Sequence, residues 1–176
     1  MSTTLATTAT ATAGKYLSFR LAGQEYGIEI VKVQEINRQL EATRIPGLPA
    51  TIRGVINLRG KIVPVMDLRR RFGMEPAPDG ERTCNIVVRL SREGTIVTMG
   101  LIVDEVTEVR PFAQEQISPP PELGGVVDLS YVTGVARLEE GIVILLDVER
   151  LVTIEEAGML ADLAGPEVPE QESVLT

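Results

Sequence analysis

The chain has 176 residues, 44% of them hydrophobic and 3% aromatic, and a formal net charge of −8. Six acids and no basic residue follow Arg150, so the body is nearly neutral and offers no phosphate-tracking surface, which argues against nucleic acid as a partner. With no His and a single Cys, the chain has no means for Ser-His-Asp or Cys-His catalysis, His metal ligation, His phosphotransfer or an intramolecular disulfide.

Met1–Gly14 is rich in Thr and Ala, without a basic start or a long apolar core, and reads as a disordered lead over 1–14 rather than a signal peptide. Tyr16–Leu21 alternates as a strand, turns through Ala22–Glu25, and is followed by an alternating run over Tyr26–Ile36, with Ile28, Ile30 and Ile36 as candidate core. Arg44–Pro49 is a rigid connector. Gly54–Leu58 and Ile62–Met66 read as strands flanking the turn Arg59-Gly60, with Pro64 marking an edge or a bulge. Glu75–Gly80 links two halves. Asn85–Leu90 turns through Arg92–Gly94 into Met99–Val109, and Pro119–Pro121 with Gly124-Gly125 marks a long connection. A short helix is expected over 154–164, followed by a disordered acidic tail over 165–176. No run approaches 18 apolar residues, so no membrane span is expected and a cytoplasmic protein is the default.

One unit is used twice. Gly54–Arg70 lies over Gly134–Arg150 without gaps, with Gly, Val, Leu, Ile, Val, Asp and Arg identical at positions 54, 55, 58, 62, 63, 67 and 70. The leading hairpins also match, through Gly27/Gly100, Val33/Val106 and Glu35/Glu108. Short strands in two equivalent halves, about 15–81 and 82–153, predict an all-β fold of two small barrels packed on a shared hydrophobic seam, with strands exchanged across it. The copies diverge at the matched turn: Arg59-Gly60-Lys61 against Glu139-Glu140-Gly141.

Several patterns invite chemistry that the residues do not support. Gly54 to Lys61 misses the phosphate-loop spacing, and Ile62 stands where Ser or Thr would ligate magnesium. Asp67 and Asp147 are symmetric, as in aspartic proteases, but lack the small Thr/Ser-Gly turn; both read as caps of the short helical stretches Leu68–Phe72 and Val148–Val152. Arg69-Arg70-Arg71 reads as a solvated run and Cys84 as an unactivated thiol. Arg59 stands out, because a turn that only needed closing suits Asn-Gly, whereas Arg suits a carboxylate partner.

The run Pro46-x-x-Pro49-x-x-Ile52-Arg53-Gly54-Val55-Ile56-Asn57-Leu58-Arg59-Gly60-Lys61-Ile62-Val63-Pro64-Val65-Met66-Asp67-Leu68-Arg69-x-Arg71-Phe72 closely resembles the signature of the CheW family of chemotaxis coupling proteins. Tyr26–Ile30, Val33-x-Glu35-Ile36 and Tyr131-x-x-Gly134-Val135 resemble it too, and the similarity runs from about 15 to 153. Thr51 departs from it, where relatives often carry an aromatic. The resemblance implies two five-stranded SH3/OB-like barrels, no catalysis and no cofactor or metal. It implies a scaffold that joins the signalling tip of a methyl-accepting chemoreceptor to the regulatory domain of the histidine kinase CheA, with further CheW copies in rings, recruited from the cytoplasm to membrane-associated arrays without insertion. An adaptor of a related motility or surface-behaviour pathway is the alternative; an enzyme on duplicated barrels is the reading from another class. Carried over by motif, Arg59, Gly54, Val33 and Glu35 are expected at the receptor-binding surface, with Val103 and Val109 added by symmetry.

Overall fold

The computed structural model describes residues 11–38, 41–92, 94–120 and 130–164. Its strands are β1 (Gly14–Leu21), β2 (Gln24–Glu29), β3 (Val33–Arg38), β4 (Ile52–Leu58), β5 (Lys61–Asp67), β6 (Cys84–Arg92), β7 (Thr95–Val103), β8 (Glu105–Phe112), β9 (Ile117–Ser118), β10 (Val132–Leu138) and β11 (Gly141–Leu146). Helices α1 (Leu68–Arg71) and α2 (Ile154–Ala164) follow β5 and β11. The fold is predominantly β, as expected. Its strands are ordered β8-β1-β2-β11-β10-β9 in a six-stranded first sheet and β3-β6-β7-β5-β4 in a five-stranded second sheet. The strands form two mixed sheets of unequal size, and among the described residues no backbone ladder closes either into a barrel.

Each sheet takes strands from both halves. The hairpin β1–β2 pairs in parallel with β11, through Gly27 opposite Leu145, and β7 pairs in parallel with β5, through Gly100 opposite Val65. The exchange is made at two breaks. The run Tyr26–Ile36, read from sequence as one strand, is interrupted by a 3-10 turn at Ile30–Lys32, so that β2 lies in the first sheet and β3 in the second. Asp104 makes the matching break between β7 and β8. This break also corrects one core residue: Ile28 is buried, but Ile36, beyond the turn, is 42% exposed.

Alternation places each central strand between two cores. On β7, Val97, Met99, Leu101 and Val103 face the shared core. Leu17, Phe19 and Leu21 of β1, Ile86 and Val88 of β6 and Leu146 of β11 meet them there. The opposite faces fill two smaller clusters: Tyr16, Phe112, Ala136, Val143 and Leu145 in the first sheet, and Ile56, Val63 and Val65 in the second. Strands buried on both faces need apolar residues at consecutive positions, which explains the continuous runs at 62–66 and 142–146. Pro64 fits within β5 because Val55, opposite it, directs both its N–H and its carbonyl to Thr43, at 2.9 and 2.8 Å. The pairing of β5 with β7 begins one residue later, at Val65, and the bulge lies on β4 between Ile52 and Gly54.

The identical residues of the repeat have identical tasks. A Cβ on Gly54 would stand 2.4 Å from the Thr43 carbonyl oxygen, and one on Gly134 would stand 2.9 Å from that of Ser118. Asp67 N–H donates to Thr51 O at 2.8 Å, as Asp147 N–H does to Tyr131 O at 2.9 Å. Both carboxylates cap the turn that follows: Asp67 Oδ1 accepts from Arg69 N–H, and Asp147 Oδ1 from Glu149 N–H, each at 3.0 Å. Arg70 reaches Asp67 at 3.7 Å and donates to Ala50 O at 3.1 Å; Arg150 reaches Asp147 at 3.6 Å and donates to Ser130 O at 3.2 Å.

Two of the three arginines of α1, Arg69 and Arg71, tie the halves together, while Arg70 is exposed and stays within the first half. Arg69 makes a bidentate pair with Asp104, at 2.9 and 2.6 Å, and Asp104 also accepts from Ala22 N–H at 2.8 Å. Arg71 donates to Leu151 O at 2.6 Å and lies 5.5 Å from the centre of the Tyr131 ring, which stacks on Phe72 at 5.0 Å. Helix α2 opens on a capping box between Thr153 and Glu156, each bond 3.0 Å, and buries Ala157 and Leu160 in the shared core. Of the expected disordered lead, Met1–Thr10 fall outside the described residues; Ala11 is buried and donates to Thr133 O at 3.0 Å. The acidic tail 165–176 and residues 121–129 of the long connection also fall outside them.

Candidate partner-binding surface

The hairpin β4–β5 closes on Arg59-Gly60, with Leu58 opposite Lys61. Both turn residues have positive φ, 53° and 86°, the pattern of a type I′ turn. Asn57 Oδ1 braces it by accepting from Gly60 N–H at 2.8 Å. Left-handed backbone is unfavourable for Arg, and Asn or Gly would adopt it with less strain. Ala22 has the same conformation in the β1–β2 turn, but at this tip the side chain has a use.

That use is an ion pair with Glu35 on β3. Arg59 Nη1 donates to Glu35 Oε2 at 3.0 Å and Nη2 to Oε1 at 2.5 Å, and Asn37 Nδ2 adds a third donor at 3.3 Å. The Arg59 hydrogen bonds hold the Glu35 carboxyl below the usual carboxylate range, against the opposing effect of burial, and the pairing raises the Arg59 pKa in turn. Strands β3 and β4 are the two edges of the second sheet. The ion pair thus joins the turn at one edge to the strand at the other, closing with side chains what the backbone ladder leaves open. A bulge between Val33 and Glu35 shifts the register of β3 on β6 next to this contact. The Arg59 side chain remains 70% exposed, so an incoming carboxylate has access to it.

The same strands expose apolar area. Ile36 on β3 is 42% exposed and Ile62 on β5 is 43% exposed. Their counterparts in the other half, Val109 on β8 and Ile142 on β11, are each 45% exposed. Both halves therefore show the same apolar positions, and the difference between them is in the charges. Glu108, which matches Glu35, pairs with Arg110 of its own strand at 2.9 Å, and Glu139 stands where Arg59 would be. Among the described residues, no group of three or more His, Cys, Asp or Glu is placed to hold a metal.

Of the six positions expected at the surface, Arg59 and Glu35 are brought into contact and Val109 is exposed. Val33 is half-buried and packs against the shared core. Gly54 is buried beneath Thr43, so it shapes the hairpin without presenting a contact. Val103 is fully buried in the shared core and cannot line a groove: its place at the end of β7, before the Asp104 break, turns it inward. Ile36 and Ile62 were missed. Ile36 shares a face with the polar Gln34 and Arg38, a signal hidden by reading Tyr26–Ile36 as one strand.

A family model described as a CheW-like domain matches residues 15–156. The protein named Chemotaxis protein CheW of Klebsiella aerogenes is 39% identical over 150 residues, covering 85% of this chain and 88% of that one. Probable chemotaxis protein CheW of Rhizobium etli is 33% identical over 141 residues, covering 80% and 88%. Among solved structures, the scaffolding protein TtCheW from Thermoanaerobacter tengcongensis superposes with a TM-score of 0.72 at 35% identity, covering 82% of this chain and 96% of that one.

Proposed function

We propose a function from one premise: the chain belongs to the CheW-like family. It is a chemotaxis coupling scaffold. It joins the signalling tip of a methyl-accepting chemoreceptor to the regulatory domain of the histidine kinase CheA, as a binding protein without catalysis of its own.

The observation that carries the receptor assignment is the Arg59–Glu35 pair on a strained turn. A receptor tip is a helical hairpin, and Ile36 and Ile62 offer apolar area on the two strands that carry the pair. Arg59 fixes the register of the helix by offering its guanidinium to an acidic side chain. The second half repeats the apolar positions with acidic and self-paired charges, which suits a different partner, the kinase or another copy of the scaffold. Receptor state shifts kinase activity only to the extent that these contacts differ between the two states. Avidity in an array makes up for modest single contacts. Among the described residues, no helix is long and apolar enough to cross a membrane, in keeping with recruitment from the cytoplasm by the receptors.

A pull-down with a receptor signalling fragment and, separately, with the CheA regulatory domain tests this reading. Retention of both is expected, and retention of neither would overturn it.

A further inference from the structure

The two halves are joined as the two copies of a symmetric dimer would be. In each sheet the leading hairpin of one half is inserted between strands of the other: β1–β2 between β8 and β11 in the first sheet, β6–β7 between β3 and β5 in the second. Arg71 donates to the carbonyl of Leu151, its own counterpart 80 residues on, so a pseudo-twofold axis passes between them. Such a topology has a rival. A first half can receive the hairpin of a first half from another copy of the chain, and a second half that of a second, because equivalent strands receive the hairpin in each case. Residues 72–83, between α1 and β6, reach up to about 40 Å when extended and would link the two units.

Two ion pairs lie where the inserted hairpins leave one sheet for the other. In the first, Arg69, which follows the Asp67 cap, holds Asp104 at the end of β7. In the second, Glu149, the counterpart of Arg69 after the Asp147 cap, accepts from Lys32 Nζ at 2.9 Å, in the turn that follows β2. Each pair joins one half to the other. None of the four side chains is more than 35% exposed, so solvent screens these charges only in part. The polarity is reversed between the pairs: both positive residues belong to the first half and both negative ones to the second. A first half paired with a first half would set Arg69 against Lys32, and a second paired with a second would set Glu149 against Asp104.

We propose that these two pairs choose the partner of each half, so that the chain closes on itself and does not exchange hairpins with a second copy. The shared core discriminates less. It is filled from both hairpins by apolar residues at matching places, Leu17, Phe19 and Leu21 on β1 and Ile86, Val88 and Leu90 on β6, and apolar burial is non-directional. Charge sign is what differs between the halves at the points of exchange. The choice of partner is independent of the coupling role and stands or falls apart from it.

The double variant Arg69→Glu with Glu149→Arg tests the proposal at unchanged composition. It sets like charges within both native pairs and opposite charges within both self-pairings. A fourfold variant that adds Lys32→Glu and Asp104→Lys restores opposite charges to the native pairing with the polarity inverted. Wild type and both variants are refolded from urea at one protein concentration and sized by light scattering. The double variant is expected to raise the dimer-to-monomer ratio about tenfold or more over wild type, and the fourfold variant to return it to the wild-type value. The dimer should survive dilution and come apart only on unfolding, as exchanged strands require. A double variant that stays monomeric, folded or unfolded, a fourfold variant with the same dimer fraction as the double, or a dimer that dissociates on simple dilution overturns the proposal.

Discussion

The two matched hairpins, β4–β5 and β10–β11, have the same strands and different tips. Both carry a glycine that admits a crossing backbone and an Asp–Arg clamp on the segment before the hairpin. The first tip holds Arg59 at φ 53° and ties it to Glu35; the second, Glu139-Glu140, has no residue of positive φ and, among the described residues, no counterpart to that pair. The residues that are the same in both copies build the fold, and the residues that differ at an exposed tip are free to choose a partner. This is why identity within a repeat points away from the site: Gly54 is shared with Gly134 and buried, while Arg59 is unshared and exposed.

The comparison rests on the halves being one folding unit, which the shared core should make visible. Phe19, fully buried in that core, contributes from the first sheet. Phe19→Ala is expected to cost about 3–5 kcal/mol and to leave a single urea transition in which both sheets unfold together. Two separate transitions would break the comparison into two independent domains. Next in size, Gly54→Ala should cost about 2–3 kcal/mol through overpacking against Thr43, and Gly134→Ala somewhat less, because its nearest atom is farther away. Equal stability of wild type and Gly54→Ala, read from the urea midpoint, would return Gly54 to the list of surface contacts.

The smallest effect concerns the tie between the halves at Arg69–Asp104. Burial pushes the Asp104 pKa up, but its bonds from Arg69 and from the Ala22 N–H outweigh this, and the net shift is downward. A carboxylate lowered in the folded state contributes stability above its unfolded pKa, about 3.9, and loses it as the pH falls through the lower folded value. Asp104→Asn should therefore be less stable near neutrality and lose less stability below about pH 4. An acid limb as steep as that of wild type would show that the tie has no part in acid unfolding.

Sequence reasoning reached the duplication, the β class and the Arg59 turn because each depends on local pattern: a gap-free repeat, alternation and turn chemistry. It missed the breaks at Ile30–Lys32 and Asp104, because alternation continues across a strand that leaves one sheet for the other. That omission put Ile36 in the core, where it is instead 42% exposed; Val103 was placed at the surface by symmetry alone and is buried. Arg70 is solvated as read, whereas Arg69 and Arg71 are not, because their partners, at Asp104 and Leu151, lie in the other half of the chain. Arg59 was named from its turn and Glu35 through resemblance; their contact is a tertiary fact, set by the two sheet edges approaching each other.

The central claim is that the divergent turn, and not the shared scaffold, selects the receptor. Calorimetric titration with a chemoreceptor signalling-tip fragment tests it on three proteins: wild type, Arg59→Ala and Glu139→Ala, each first shown to be folded by circular dichroism. The account predicts that Arg59→Ala weakens binding about tenfold or more, as loss of an anchoring Arg does, while Glu139→Ala binds as wild type. Unchanged affinity in Arg59→Ala, or equal losses in both variants, would contradict it.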